Sequence, residues 1–201
     1  MVRVTSCLSY LWLLVAVPSA VIAQSSPNTN PAVLDVAGQP LLPGVEYYVL
    51  PDTQRGATGG GLTLINRNES CPLYVGQHSR SSTGLPVIFT PFFASETVIY
   101  EDADFTVQFA AVTICAQSTQ WELDESELSN GSVLIRTGTD PLYLRIPTKE
   151  TDGDGYRLYF CPTTVCPICK YNCGNVTVVN EDGKRLLALY GPALPVVFRR
   201  A

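Results

Sequence analysis

Four of the chain's seven cysteines crowd into one short run, Cys161-Pro-Thr-Thr-Val-Cys166-Pro-Ile-Cys169-Lys-Tyr-Asn-Cys173. Thiols at this density support three chemistries. Four thiolates can bind zinc, a C-x-x-C pair such as Cys166 and Cys169 can exchange electrons, and paired thiols can form disulfides. A redox pair works best where a helix N-terminus lowers the thiol pKa, and no helical pattern follows Cys166. A zinc site of four thiolates commonly draws on two separated modules, whereas here all four fall in a single run. The compartment weighs on the choice.

The chain opens with a basic start at Arg3, an apolar run from Cys7 to Val17, a break at Pro18 and Ser19, and small residues up to Ala23. This layout predicts a secretory signal peptide over residues 1–23, cut after Ala23, with Ala20 as the alternative. Cys7 leaves with it, so an even six cysteines remain. Secretion favours oxidised sulfur, and disulfides are the expected state of the cluster. Six cysteines still allow many pairings, and spacing alone does not choose among them.

Other residues with chemical potential argue against catalysis. The one histidine, His78, sits in the polar stretch Gln77-His-Ser-Arg80, with no nucleophile elbow of the G-x-S-x-G kind nearby. It reads as an exposed loop residue. Gly59-Gly-Gly61 lacks the Lys-Ser/Thr of a phosphate loop and reads as a turn before a strand. Glu122, Asp124, Glu125 and Glu127 could supply a carboxylate pair for glycoside hydrolysis, but four acids in six residues read as a solvated rim. No metal site and no cofactor is expected, and the chain is read as not an enzyme. The net charge of −5 becomes one unit more negative without Arg3. An acidic chain is a poor partner for nucleic acid or anionic membrane, and no run after the leader approaches a membrane span. Three glycosylation sequons begin at Asn68, Asn130 and Asn175.

The elements that must carry these residues are strands. Residues 24–32 read as a flexible arm rich in Ser, Asn and Pro, ahead of a single domain over 33–201. Short runs of Val, Ile, Leu, Tyr and Phe then recur: 46–50, 61–65, 72–75, 86–89, 97–100, 105–109, 120–123, 132–136, 142–146, 156–160, 176–179, 186–190 and 195–198. In Phe105-Thr-Val-Gln-Phe109 the apolar residues alternate with polar ones. Turn residues such as Asp152-Gly-Asp-Gly155 and Glu181-Asp-Gly183 separate the runs, and no segment has a long helical period. About a dozen short strands imply an all-β barrel or sandwich.

The stretch Val33-Leu-Asp35-Val-Ala-Gly38-Gln-Pro40-Leu41-Leu-Pro-Gly44-Val-Glu-Tyr47-Tyr48-Val-Leu50 resembles the opening signature of plant Kunitz-type (soybean trypsin inhibitor-like) proteins, with Ala37 where a polar residue is usual. Cys71-Pro-Leu, Trp121-Glu-Leu, Tyr156-Arg-Leu-Tyr-Phe160-Cys161-Pro, Cys173-Gly-Asn-Val and Arg185-Leu-Leu-Ala-Leu continue the likeness. The extra cysteine pair is similar to the miraculin-like branch. The resemblance implies a β-trefoil of about twelve strands. It also implies the pairing Cys71–Cys115, Cys161–Cys173 and Cys166–Cys169.

The resemblance further implies an inhibitor of proteases, serine proteases foremost. One exposed loop would enter the protease cleft as a substrate does, and its stiffness would keep the ordering cost of binding low. Here that loop is Thr90-Pro91-Phe92-Phe93-Ala94-Ser95, with Phe93–Ala94 as the reactive bond and Phe92 as the neighbouring candidate. An aromatic residue suits a chymotrypsin-like or subtilisin-like pocket and gives the aspartate of a trypsin pocket no charge to meet. Many active members brace the loop with an Asn where Pro43 stands here. The alternative is a non-inhibitory defence, storage or binding protein on the same fold. Arg55-Gly-Ala-Thr58 stands where the taste-modifying branch has its acid-sensing histidine, and the cross-linking cysteine of that branch is missing, so a monomer is expected. The destination is extracellular, or vacuolar by the secretory route, since Asn30-Pro-Ala-Val-Leu34 is similar to a vacuolar sorting signal.

Overall fold

The computed structural model describes residues 29–115, 118–129, 131–148 and 155–201, with side chains left out at 126–129. The expected leader, most of the expected arm and Asn130 lie outside the described residues. Twelve strands are present: β1 (Glu46–Pro51), β2 (Leu62–Ile65), β3 (Tyr74–Gln77), β4 (Val87–Pro91), β5 (Phe105–Phe109), β6 (Gln120–Ser129), β7 (Ser132–Gly138), β8 (Tyr156–Arg157), β9 (Tyr159–Phe160), β10 (Gly174–Glu181), β11 (Lys184–Leu189) and β12 (Pro195–Arg200). One 3-10 turn, Thr53–Arg55, follows β1 and is capped by Asp52, whose carboxylate accepts from the Gln54 N–H at 3.1 Å.

The strands join in the order β8-β12-β1-β4-β5-β6-β7-β3-β11-β10-β9, with β2 on β3. The path ends on the two halves of one run. Tyr156 and Arg157 pair with β12, and Tyr159 and Phe160 pair with β10. Leu158 between them is buried. The run 156–160, expected as one strand, therefore splits in two and closes the sheet into a ring. The architecture is a β-trefoil.

Period-two alternation makes the core. On β5, Phe105, Val107 and Phe109 are buried, and Thr106 and Gln108 are only partly covered. Phe89 of β4 meets Phe105 and Phe198 edge-on, each at 5.5 Å between ring centres. Burying a phenylalanine fully is worth about 2–3 kcal/mol, so this cluster is a principal anchor of the ring. Gly61 lets two chain segments touch: a Cβ there would lie 2.0 Å from the Thr83 carbonyl oxygen.

Two expected strands are not strands. Residues 97–100 contribute only the bridge Ala32–Tyr100, and residues 142–146 only Phe105–Leu144 and Arg145–Tyr159. Their buried members, Ile99, Leu142, Leu144 and Ile146, fill the core from irregular backbone. The end of the expected arm is tied down. Asn30 Nδ2 donates to the Glu101 carbonyl at 2.9 Å, and the Glu101 N–H donates to Pro31 O at 2.9 Å. Ordered packing thus begins ahead of the expected boundary at Val33.

The six cysteines among the described residues are joined: Cys71–Cys115, Cys161–Cys173 and Cys166–Cys169, with Cα separations of 5.8, 4.7 and 5.4 Å. This is the pairing that the resemblance implies. It places the third bond inside the loop closed by the second.

Candidate functional site

The candidate loop leaves β4 and returns to β5. Thr90 and Pro91 are the last residues of β4 and pair with Thr106 and Phe105. Pro91 is buried. The exposed part is Phe92-Phe93-Ala94-Ser95. Phe92 is 36 % exposed and Phe93 51 %, an uncommon exposure for two adjacent aromatics. Their rings meet edge-on at 5.1 Å, and Phe92 also meets Tyr143 at 5.6 Å. The Glu96 N–H donates to the Phe93 carbonyl at 3.0 Å, so residues 93–96 form a β-turn and the Phe93–Ala94 bond lies within it. The Phe92 carbonyl accepts no backbone hydrogen bond among the described residues.

The loop is held at its root. The Phe92 N–H donates to the Asp104 carbonyl at 2.8 Å, extending the β4–β5 ladder by one step. The Asp104 carboxylate is fully buried. Its Oδ1 accepts from Nε and Nη2 of Arg145 at 2.8 and 2.6 Å. Its Oδ2 accepts from the main-chain N–H groups of Thr164 at 2.9 Å and Val165 at 3.4 Å. Arg145 Nη2 also donates to the Thr163 hydroxyl at 3.0 Å. Thr163, Thr164 and Val165 lie inside the Cys161–Cys173 loop. The cysteine cluster and the aromatic loop, far apart in sequence, are therefore joined through one carboxylate. On the other flank Pro43 has no side-chain donor to offer, and the neighbouring Gly44 N–H reaches Phe89 O at 3.4 Å. Asp104 has no counterpart among the sequence-derived site residues. Nothing in Glu101-Asp-Ala-Asp104 marks two of its three acids, Glu101 and Asp104, as buried.

Beside Tyr143 a cleft of about 490 Å³ is lined in part by Glu122, Asp124, Arg136, Phe160 and Tyr171. The acids here depart from expectation. Glu122 and Asp124 are buried, because β6 continues through them and sets both on the face opposite the core residue Trp121, against Arg136 and Tyr74. Glu122 Oε1 accepts from Arg136 Nη2 at 2.7 Å and Nε at 2.9 Å, and Oε2 accepts from the Asp140 N–H at 2.9 Å. Burial pushes the Glu122 pKa up, but the Asp140 amide and the Arg136 guanidinium outweigh it and hold the carboxyl below its ordinary value. Asp124 accepts from the Tyr74 hydroxyl at 2.7 Å, and burial together with that carboxylate raises the Tyr74 pKa. These are structural pairs, with partners already supplied by the chain.

His78 is partly buried rather than exposed, because its main chain pairs with Gly60 and Gly61. No group of His, Cys, Asp and Glu suited to a metal occurs among the described residues. Asn68 is exposed in a loop, whereas Asn175 lies on β10 and the Thr177 of its sequon is buried. Of these two, Asn68 has the geometry that admits a glycan.

The closed ring with a turn between β4 and β5 defines the fold class, and comparison with known proteins narrows it to a family. Residues 33–200 match the family model described as trypsin and protease inhibitor, of the Kunitz legume type. The chain is 40 % identical over 202 residues to Kunitz type trypsin inhibitor 104 of Medicago truncatula, covering 96 % of this chain and 94 % of the relative. It is 32 % identical to miraculin of Synsepalum dulcificum, covering 88 % and 86 %. The crystal structure of a Kunitz type trypsin inhibitor from Cicer arietinum superposes with a TM-score of 0.70 at 30 % identity, over 85 % of this chain and 98 % of that one. The chain belongs to the plant Kunitz-type inhibitor family.

Proposed function

We propose that this protein inhibits serine endopeptidases with a hydrophobic primary pocket, of the chymotrypsin or subtilisin kind, through Phe92-Phe93-Ala94-Ser95. The protease part of this reading is supported by relatives named as trypsin inhibitors. The observation that carries the specificity is a pair of exposed aromatics on a turn whose root is held by a buried ion pair. A phenyl ring fills a hydrophobic slot, and the rigid root limits the ordering cost of binding.

The turn itself opposes binding through the Phe93–Ala94 bond. An oxyanion hole must receive the Phe93 carbonyl, which is already bonded to the Glu96 N–H. Releasing that bond costs about 0.5–1.5 kcal/mol, up to about tenfold in affinity. The same hydrogen bond, with Pro43 at the bracing position, favours a second reading: a non-inhibitory defence, storage or binding protein on this fold.

Titration of the purified protein against chymotrypsin, subtilisin, trypsin and papain separates the two. The first reading expects inhibition of chymotrypsin or subtilisin, weakened at least about thirtyfold in Phe93→Ala, the loss of a central anchor side chain. A matching loss in Phe92→Ala alone would move the reactive bond one residue earlier. Absence of inhibition of any of the four supports the second reading. Three disulfides suit an oxidising compartment, which agrees with a secretory route to the cell exterior or the vacuole.

A further inference from the structure

The two aromatic side chains of the candidate loop are not equivalent. Phe92 is held twice: its N–H donates to the Asp104 carbonyl at 2.8 Å, and its ring meets Tyr143 edge-on at 5.6 Å. Phe93 is the more exposed of the two, and its ring meets Phe92. Both holds on Phe92 lead back to one stretch of chain, Leu142-Tyr-Leu-Arg-Ile146. Leu142, Leu144 and Ile146 are buried in the core, while Tyr143 and Arg145 between them are only partly covered. Arg145 Nη2 donates to Asp104 Oδ1 at 2.6 Å and so fixes the residue whose carbonyl receives the Phe92 N–H. Tyr143 meets the Phe92 ring directly. The stretch itself is pinned along its length. The Leu142 N–H donates to Trp121 O at 2.8 Å, and Leu144 and Phe105 exchange both main-chain bonds at 2.8 Å. Arg145 and Tyr159 exchange theirs at 2.8 and 2.9 Å. Pro43, on the opposite flank of the loop, has no side-chain donor with which to match this support.

We propose that Tyr143 is a positioning residue of the loop, which holds the Phe92 ring back and leaves Phe93 as the side chain that enters a protease pocket. The proposal rests on the reading of this loop as the protease-binding segment, and it names what sets the loop's specificity side chain. Tyr143 acts through Phe92. With its main chain on Asp104 and its ring on Tyr143, Phe92 is ordered before any protease arrives, so little freedom is left to lose on binding. Phe93 then stands on the held ring of its neighbour. An edge-on aromatic pair stabilises beyond its buried area by an amount that corresponds to about two- to twelvefold in an equilibrium. That is smaller than the loss expected on truncating Phe93 itself, so the positioning role and the anchor role separate by magnitude.

The test measures two quantities with chymotrypsin: the inhibition constant, and the rate at which the enzyme cuts the chain within residues 92–95, followed by mass spectrometry. The variants are Tyr143→Ala, Tyr143→Phe, Phe92→Ala and the double variant of Phe92→Ala with Tyr143→Ala. Urea midpoints check folding, and Tyr143→Leu takes the place of Tyr143→Ala if the alanine variant does not fold. Tyr143→Ala is expected to weaken inhibition by about two- to twelvefold and to speed cutting by a similar factor. Tyr143→Phe, which keeps the ring, is expected to restore both. In the Phe92→Ala background, Tyr143→Ala is expected to change neither, because the ring it acts through is gone. A side chain with a general structural role would instead add its effect in either background. The proposal is overturned if Tyr143→Ala matches the wild type in both quantities, if Tyr143→Phe loses as much as Tyr143→Ala, or if the effect persists undiminished beside Phe92→Ala. It is also overturned if Phe92→Ala loses as much inhibition as Phe93→Ala, since Phe92 would then be the side chain that enters the pocket. A wild-type chain that inhibits no protease brings down the inhibitory reading by itself, and the cutting rates still decide whether Tyr143 positions the loop.

Discussion

Asp104 carries two tasks with one residue. Its carbonyl receives the Phe92 N–H, and its carboxylate is locked by Arg145 and by two main-chain N–H groups of the Cys161–Cys173 loop. Removing the charge leaves Arg145, itself mostly covered, without its partner. Breaking a buried pair from one side typically costs about 3–5 kcal/mol. Asp104→Asn is therefore expected to lower the urea midpoint strongly, and to speed hydrogen exchange at the Phe92 amide more than at amides of β7. Glu122 makes a pH prediction. Its folded pKa lies below its unfolded one, so its contribution to stability is present above the ordinary carboxylate range and is lost as pH falls through the folded value. Glu122→Gln should flatten that part of the acid limb in a series of urea titrations between neutral and strongly acid pH. Neither acid was legible in the sequence. Four carboxylates in six residues look solvated until the fold brings Arg136 and Tyr74 opposite Glu122 and Asp124. The exposed pair Phe92-Phe93 was legible, because its place follows from the family likeness, but the turn that closes on Glu96 was not.

Hairpins and their tethers set the next scale. Strands with clean alternation, such as β5, are readable because one side is buried and the period is two. The failures share a cause. Residues 97–100 and 142–146 are as apolar as strands, yet each meets a neighbour at only isolated bridges, so hydrophobicity reports their burial and not their pairing. Residues 156–160 divide because two different strands claim the two halves. The Cys71–Cys115 bond spans 44 residues and fastens the middle of the β5–β6 connection to the β2–β3 connection. By the chain-entropy account it contributes roughly 4 kcal/mol. The variant with both cysteines changed to alanine is expected to show a lower urea midpoint by a corresponding amount, with far-UV dichroism unchanged in native buffer.

The whole molecule is one ring, with the aromatic turn displayed between β4 and β5. Its class was legible because many weak matches, from Val33 to Leu189, fall in one order along the chain. The link between the cysteine cluster and the aromatic turn was not, since it runs through contacts of more than forty residues in sequence. What first stood out as a centre of sulfur chemistry is a wall against which the turn is set.

Within the ring β1 lies against β12, where Tyr47 faces Arg200 and Pro51 faces Val196. β1 thus pairs with a strand 145 to 153 residues later (Pro51 to Val196, Tyr47 to Arg200), and the Ala201 N–H donates to Glu46 O at 3.0 Å. Pairings this distant in sequence form slowly. Until they form, the sheet edges of the unfinished ring stay exposed, which makes the partly folded chain the form most prone to association.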